Sequence, residues 1–184
     1  FRFGPCRPSL EGDTMSERFE RDKPIGKALA EWWQGLENDR ASRAILRRAA
    51  GPTEVALSAP YQRLYRRLQL QGWNPDSKAY LDDRLAAAVG LLAHVREDSP
   101  GLSPAKSMSQ RKAGDDRLAV SELRFLRLLD ARDIEALYDS LRRVLPLMDG
   151  RVDVLALTND LLQWGEQVKK RWAYAYEWPA RTSS

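Results

Sequence analysis

Histidine and cysteine are almost missing from this chain: His94 and Cys6 are the single representatives of each. One cysteine cannot form an intrachain disulfide, and that usage fits a reducing cytoplasm. One histidine excludes a cluster of histidine ligands, and no second cysteine is present for a zinc site. No glycine-rich phosphate loop follows a strand, and no serine sits in a nucleophile elbow. The acidic pairs Asp82-Asp83 and Asp115-Asp116 are adjacent residues, better read as solvated charge or caps than as metal ligands. No catalytic residue, metal or cofactor is therefore expected, and the chain is read as a non-enzyme. Long apolar runs are missing too. The longest, Leu85 to Val95, is too short to cross a bilayer, and no secretory signal opens the chain, so no membrane role is expected. Residues 1–14, FRFGPCRPSLEGDT, have no apolar periodicity and read as a tag remnant or disordered extension ahead of one domain over residues 15–184.

Arginine is what the chain has in abundance: 23 arginines stand against 7 lysines. Guanidinium is a planar fork of donors that matches phosphate oxygens, whereas lysine is a more strongly hydrated point charge. The net charge is only +4, but residues 40–67 hold seven arginines against one acid, Glu54, a local net of +6. A composition 43% hydrophobic and 30% charged suits a globular protein with a core.

Helical patterns run almost throughout. Pro24 precedes an amphipathic stretch, Ile25 to Leu36, anchored by Trp32 and Trp33. Asn38 or Asp39 can cap a second helix through Ala50, which Gly51-Pro52 is expected to stop. Pro60 opens a third, ended by Gly72. Leu81, Leu85, Ala88, Leu92 and Val95 form the core stripe of a fourth, with His94 off that stripe. Another helix is capped near Asp133 and runs towards Pro146. The last carries Val154, Leu157, Leu161, Trp164, Val168 and Trp172 at three- and four-residue steps. Trp32, Trp33, Trp164 and Trp172 lie on apolar faces and are expected to be core residues rather than stacking platforms. With no sustained strand alternation and no repeat, the expected fold is all-α. It is a helical bundle of two packed halves, about residues 17–97 and 118–178, joined by a long loop over 98–117. That loop has a basic centre, Lys106, Arg111 and Lys112.

Two arginine patterns bear on function. In NDRASRAILRRAA, Arg40, Arg43 and Arg47 step by three and four onto one face, with no acid at i±4 inside the helix to relieve them. In SELRFLRLL, Arg124 and Arg127 share a narrow strip. Leu123, Phe125, Leu126, Leu128 and Leu129 cover most of the remaining circumference, so this helix is expected to be largely buried. A solvated face is the commonest fate of such strips; the functional reading is a surface for phosphates, and the alternative is a helical adaptor that meets an acidic protein partner. A helix-turn-helix regulator is not supported, since no evident helix-turn-helix with a base-reading Asn or Gln at its helix start is present.

The order of the motifs adds a resemblance. A tryptophan helix, EWWQGLE, is followed by NDRASRAILRRA, then far downstream by SELRFLRLLDARDIEALYDSLRRVLPLM and VDVLALTNDLLQWGE. From Lys23 to Trp172 this order resembles the small subunit of the type I-E CRISPR Cascade surveillance complex, the CasB family. The resemblance implies a non-catalytic, all-α subunit present as a pair of copies, so that a second copy of this chain is one partner. The repeated backbone subunits and the large, PAM-reading subunit are others. It also implies contact with crRNA and target DNA, along the guide–target hybrid and the displaced strand, and stabilisation of the R-loop in antiviral defence. The basic positions it carries over are Arg40, Arg43, Arg47, Arg48, Arg124, Arg127, Arg142 and Arg143. The loop residues Lys106, Arg111 and Lys112 are added from composition. Arg142 and Arg143 are neighbours, about 100° apart on a helix, so only one is expected to face a given phosphate row.

Overall fold

The computed structural model describes residues 18–75 and 78–181, and the N-terminal extension with Cys6 lies outside them. Ten α-helices make up most of it, and the fold is an all-α bundle. Helix α1, Pro24–Gly35, begins at its proline and buries Ile25, Leu29 and Trp33. Helix α2, Arg40–Arg48, starts where the Asp39 carboxylate accepts a hydrogen bond from Ser42 N at 3.1 Å. It ends at Arg48, ahead of Gly51-Pro52 as expected. Pro52 is the first residue of a further short helix, α3, Pro52–Ala56, because a proline that cannot continue one helix is well suited to open another. Helix α4, Ala59–Leu70, follows, capped by Ser58.

Helix α5, Tyr80–Leu92, is the axis of the molecule. Its stripe residues Leu81, Leu85, Ala88 and Leu92 are buried, and so are Ala86, Ala87, Val89, Gly90 and Leu91. The helix is enclosed because α3 and α2 pack on it together with two later helices, α8 (Ile134–Val144) and α9 (Val154–Leu162). Gly90 is required by this crowding. A Cβ there would stand 2.7 Å from Val55 Cγ2 and 3.0 Å from the Tyr138 ring.

The 98–117 connection is not featureless. Glu97–Asp98 (β1) pairs in parallel with Arg151–Val152 (β2), and Pro104–Met108 forms a short helix, α6, that buries Ala105 and Met108. Arg111 bridges to Leu118. These elements carry no long periodicity, so nothing in the local pattern reveals them. After α7 (Glu122–Leu129) and α8, a 3-10 turn over Leu145–Met148 takes Pro146 without breaking the core. The terminal pattern expected as one helix is two, α9 and α10 (Glu166–Ala175), separated at Gly165. The break brings Trp164 edge-on to Trp172 at 5.0 Å and lets Trp172 Nε1 donate to Asp160 Oδ2 at 2.8 Å.

The N-terminal segment is tied to the far end of the chain. Phe19 N donates to Asn159 Oδ1 at 2.8 Å, and Arg21 reaches both Asp98 and Asp153. Among the described residues no helix is long and apolar enough to cross a membrane.

Candidate nucleic-acid interface

The arginines of α2 do not form one uniform stripe. Ser42, Leu46 and Ala49 face the core, which leaves Arg40, Arg47 and Arg48 exposed and Arg43 at the boundary. Arg43 turns inward: its Nε donates to the Ala93 carbonyl at 3.0 Å and its Nη2 to the Val95 carbonyl at 2.8 Å. Those acceptors lie at and just beyond the C-terminal end of α5, where carbonyls lack intrahelical partners and carry negative partial charge. Burial, then the neighbouring Arg47, lowers the Arg43 pKa. Arg43 thus braces the fold while still lining the same shallow depression as Arg40, Arg47 and Arg48, so the arginines of this face are not equivalent.

Arg142 does the same for α2. From α8, its Nη1 donates to the Ala49 carbonyl at 3.2 Å and its Nη2 to the Arg47 carbonyl at 3.1 Å, while Tyr138 Oη donates to Ala49 O at 3.0 Å. Its neighbour Arg143 points elsewhere and pairs with Asp139 at 3.0 Å on the exposed side of α8. The adjacent arginines therefore divide as the 100° step requires, one inward and one outward. The charged rim of α2 is held from two sides by guanidinium-to-carbonyl bonds. On that frame Arg40, Arg47 and Arg48 are exposed and, among the described residues, make no hydrogen bond or ion pair through their side chains.

His94 lies beneath this rim. Its Nε2 is enclosed without a hydrogen-bond partner, and burial together with Arg47, Arg142 and Arg43 pushes its pKa down to about 4. The imidazole is neutral at pH 7 and adds no charge to the face. The sequence offered no sign of this, because the arginines that surround it come from α2 and α8.

A second basic group gathers around α7. A broad open cleft of about 790 Å³ is lined by Arg111, Lys112, Arg117 and Arg124, with Asp115, Asp116 and Glu122 among its carboxylates. It joins the basic centre of the connection to the first arginine of α7. Arg117 was not anticipated, and it is partly neutralised by Asp115 at 3.3 Å. Lys106 lines a neighbouring depression that also includes Arg111. Arg127 is exposed one turn beyond Arg124. Helix α7 itself is not largely buried. Only Phe125 and Leu128 are inside, while Leu123 and Leu126 are 59% and 40% exposed. Eight residues anchored by one i,i+3 pair, with Tyr176 stacked on Phe125 at 4.0 Å, need no wider contact.

No group of three or more His, Cys, Asp or Glu side chains among the described residues is placed to hold a metal ion. Residues 42–176 match the family model of CRISPR-associated protein Cse2. The chain belongs to the Cse2 family. This is the small-subunit family that the motif order resembles. The Cse2 match takes in α3 to α10 whole and most of α2. A structural relative agrees in fold. One chain of the crystal structure of E. coli Cascade bound to a PAM-containing dsDNA target superposes with a TM-score of 0.59 at 24% identity. The alignment covers 82% of this chain and 92% of that one. No curated protein matches the sequence significantly.

Proposed function

We propose that this Cse2-family chain is the non-catalytic small subunit of a CRISPR RNA-guided interference complex of the Cascade type. In this reading it binds phosphate backbones of the guide–target hybrid and the displaced strand, and so stabilises the R-loop. Its partners are crRNA and target DNA, the backbone and large subunits, and a second copy of itself, in the cytoplasm. The observation that carries the reading is the rim of α2. Arg40, Arg47 and Arg48 stand exposed without an ion-pair partner among the described residues, on a helix locked by Arg43 and Arg142.

The physics of the task supports it. Base pairing reads the sequence in RNA-guided recognition, and protein contacts to the backbone tip a nearly balanced strand exchange. That requires fixed positive charge on a rigid frame, without side chains that read base edges. The cleft containing Arg111, Lys112 and Arg124 offers a second, less strongly charged surface on the same molecule.

Salt titration of single-strand binding tests the proposal. Each lost phosphate contact reduces the slope of log K against log salt by about 0.7. Changing Arg40, Arg47 and Arg48 together to alanine is expected to flatten the slope by about two units, with circular dichroism unchanged. In the assembled complex the same variant is expected to shorten R-loop lifetime more than it weakens initial PAM engagement. An unchanged slope in the folded variant would assign the rim to a protein partner, as an adaptor would use it.

A further inference from the structure

Between α1, α2 and α4 the surface dips into a small groove of about 190 Å³. Its apolar lining is Trp32, Pro60 and Leu64; two guanidinium-bearing residues of α4, Arg63 and Arg67, supply its charge. Trp32 departs from the expectation of a core tryptophan that Trp33, Trp164 and Trp172 meet. Trp33 and Trp172 are buried with their indole N–H groups bonded to Leu92 O and Asp160 Oδ2, and Trp164 is buried beside Trp172. Trp32 is only partly buried, packs its inner side against the core and makes no hydrogen bond through Nε1.

The polar residues at the groove are already partly occupied, which narrows what it can accept. Asp39 and Ser42 meet each other in the α2 cap, and Arg67 pairs with Glu31 at 2.7 Å. Arg63 is exposed and makes no hydrogen bond or ion pair among the described residues, though its charge acts on Asp39 across the groove and, after the Ser42 hydrogen bonds, helps to lower that carboxyl's pKa. An indole and an exposed guanidinium lining a space of this size suit a flat, polar, aromatic group attached to negative charge. The groove adjoins the start of α2, where Arg40 follows the Asp39 cap, inside the segment whose local net charge is +6.

We propose that this groove holds one unstacked nucleobase of a single-stranded segment, packed on Trp32 beside Arg63, while the flanking phosphates lie on the arginine rim of α2. The inference rests on the nucleic-acid reading above and adds a base-dependent contact to a surface otherwise expected to bind backbone alone. Because every base has a π-face, the contact carries no sequence preference. The cation beside the ring contributes with it. An acidic peptide would use Arg63 and the α2 rim as well, but it would gain nothing from an aromatic floor that a base would use fully.

The test separates bases from phosphates. The full chain is titrated with a single-stranded oligonucleotide and with an abasic strand of the same length, which keeps the phosphates and lacks the bases. The wild type is expected to prefer the base-bearing strand by about tenfold, the size of one base–aromatic stack. Trp32→Ala is expected to remove that preference and leave the salt slope unchanged; Trp32→Phe is expected to keep most of it. Independently of any variant, the Trp32 indole N–H resonance of the wild type is expected to shift with the base-bearing strand and not with the abasic one. Equal affinity of the wild type for both strands, with a normal salt slope, would overturn the groove and leave the phosphate reading standing. Failure to bind either strand would remove both. Strand binding that is intact in Trp32→Ala while assembly with the other subunits is lost would make the groove a protein-docking site, and the proposal would be wrong.

Discussion

Replacing Arg43 by alanine separates bracing from binding. The side chain donates two hydrogen bonds to the Ala93 and Val95 carbonyls, at 3.0 and 2.8 Å. A hydrogen bond from a charged donor is worth about 1.5–3 kcal/mol in net stability. The guanidinium is only partly buried and water can reach the vacated carbonyls, so the pair is expected to be worth less than twice that, about 2–3 kcal/mol in total. For a domain of this size each kcal/mol moves the melting temperature by roughly 2–4 °C, which places Arg43→Ala about 4–12 °C below wild type. Arg47→Ala, on the next turn and fully outside, is expected to melt within about 0.5 kcal/mol of wild type. Binding is expected to reverse the order: Arg47→Ala flattens the salt dependence of single-strand binding by about 0.7 units, and Arg43→Ala leaves it unchanged at temperatures where it is folded. Differential scanning calorimetry and a salt titration on the same preparations decide it. If Arg43→Ala melts like the wild type and flattens the slope, its carbonyl bonds are incidental and the uniform stripe read from sequence is correct.

Three further outcomes follow from the same geometry. The depressed pKa of His94 means that the unfolded chain takes up its proton first as pH falls below about 6.5. Stability is therefore lost between about 6.5 and 4, and His94→Gln should show a shallower fall in melting temperature over that window; parallel curves would reject the assignment. Gly90→Ala places a methyl group 2.7 Å from Val55 Cγ2 and is expected to cost about 1–3 kcal/mol by urea denaturation, whereas an unaffected midpoint would mean that α3 and α8 can yield. Arg142→Ala, which uncaps α2, is expected to lose about 1–2 kcal/mol, and Arg143→Ala, which breaks only an exposed i,i+4 pair, to fall within about 0.5 kcal/mol of wild type; equal losses in the two would contradict the inward–outward division.

Much of the fold was legible because helix starts are local chemistry. Pro24, Asp39 and Asp133 stand where the helices begin, and the α5 stripe identified its buried residues. The errors share a cause. Gly51-Pro52 ends α2 as its pattern says, but that Pro52 also opens α3 depends on residues that pack on α5. The leucines of α7 read as buried because amphipathic patterns report preference, and an eight-residue helix at the edge has too few neighbours to satisfy it. The arginine pattern identified a basic face, but not which guanidinium it would lose to the fold. Arg43 finds carbonyls fifty residues away, and Arg142 finds carbonyls more than ninety residues back. Such partners have no signature at short range. Arg63 and Arg67 were visible only as part of a charge count, since the groove they border exists once α1, α2 and α4 have packed.

The tie between Phe19 and Asn159 also sets a timetable. The two residues are 140 positions apart, and a ribosome adding 5–20 residues per second leaves Phe19 waiting roughly 7–28 s for its partner. Helix α5 waits less long, but the helix that covers one of its sides, α9, begins some sixty residues after α5 ends, roughly 3–12 s later. During synthesis a helix with nine residues destined for the core is therefore uncovered while the arginine-rich segment preceding it is already outside the ribosome. The young chain presents an apolar side beside a strongly cationic one, a combination that invites both aggregation and capture by ribosomal RNA until α9 emerges and closes the core.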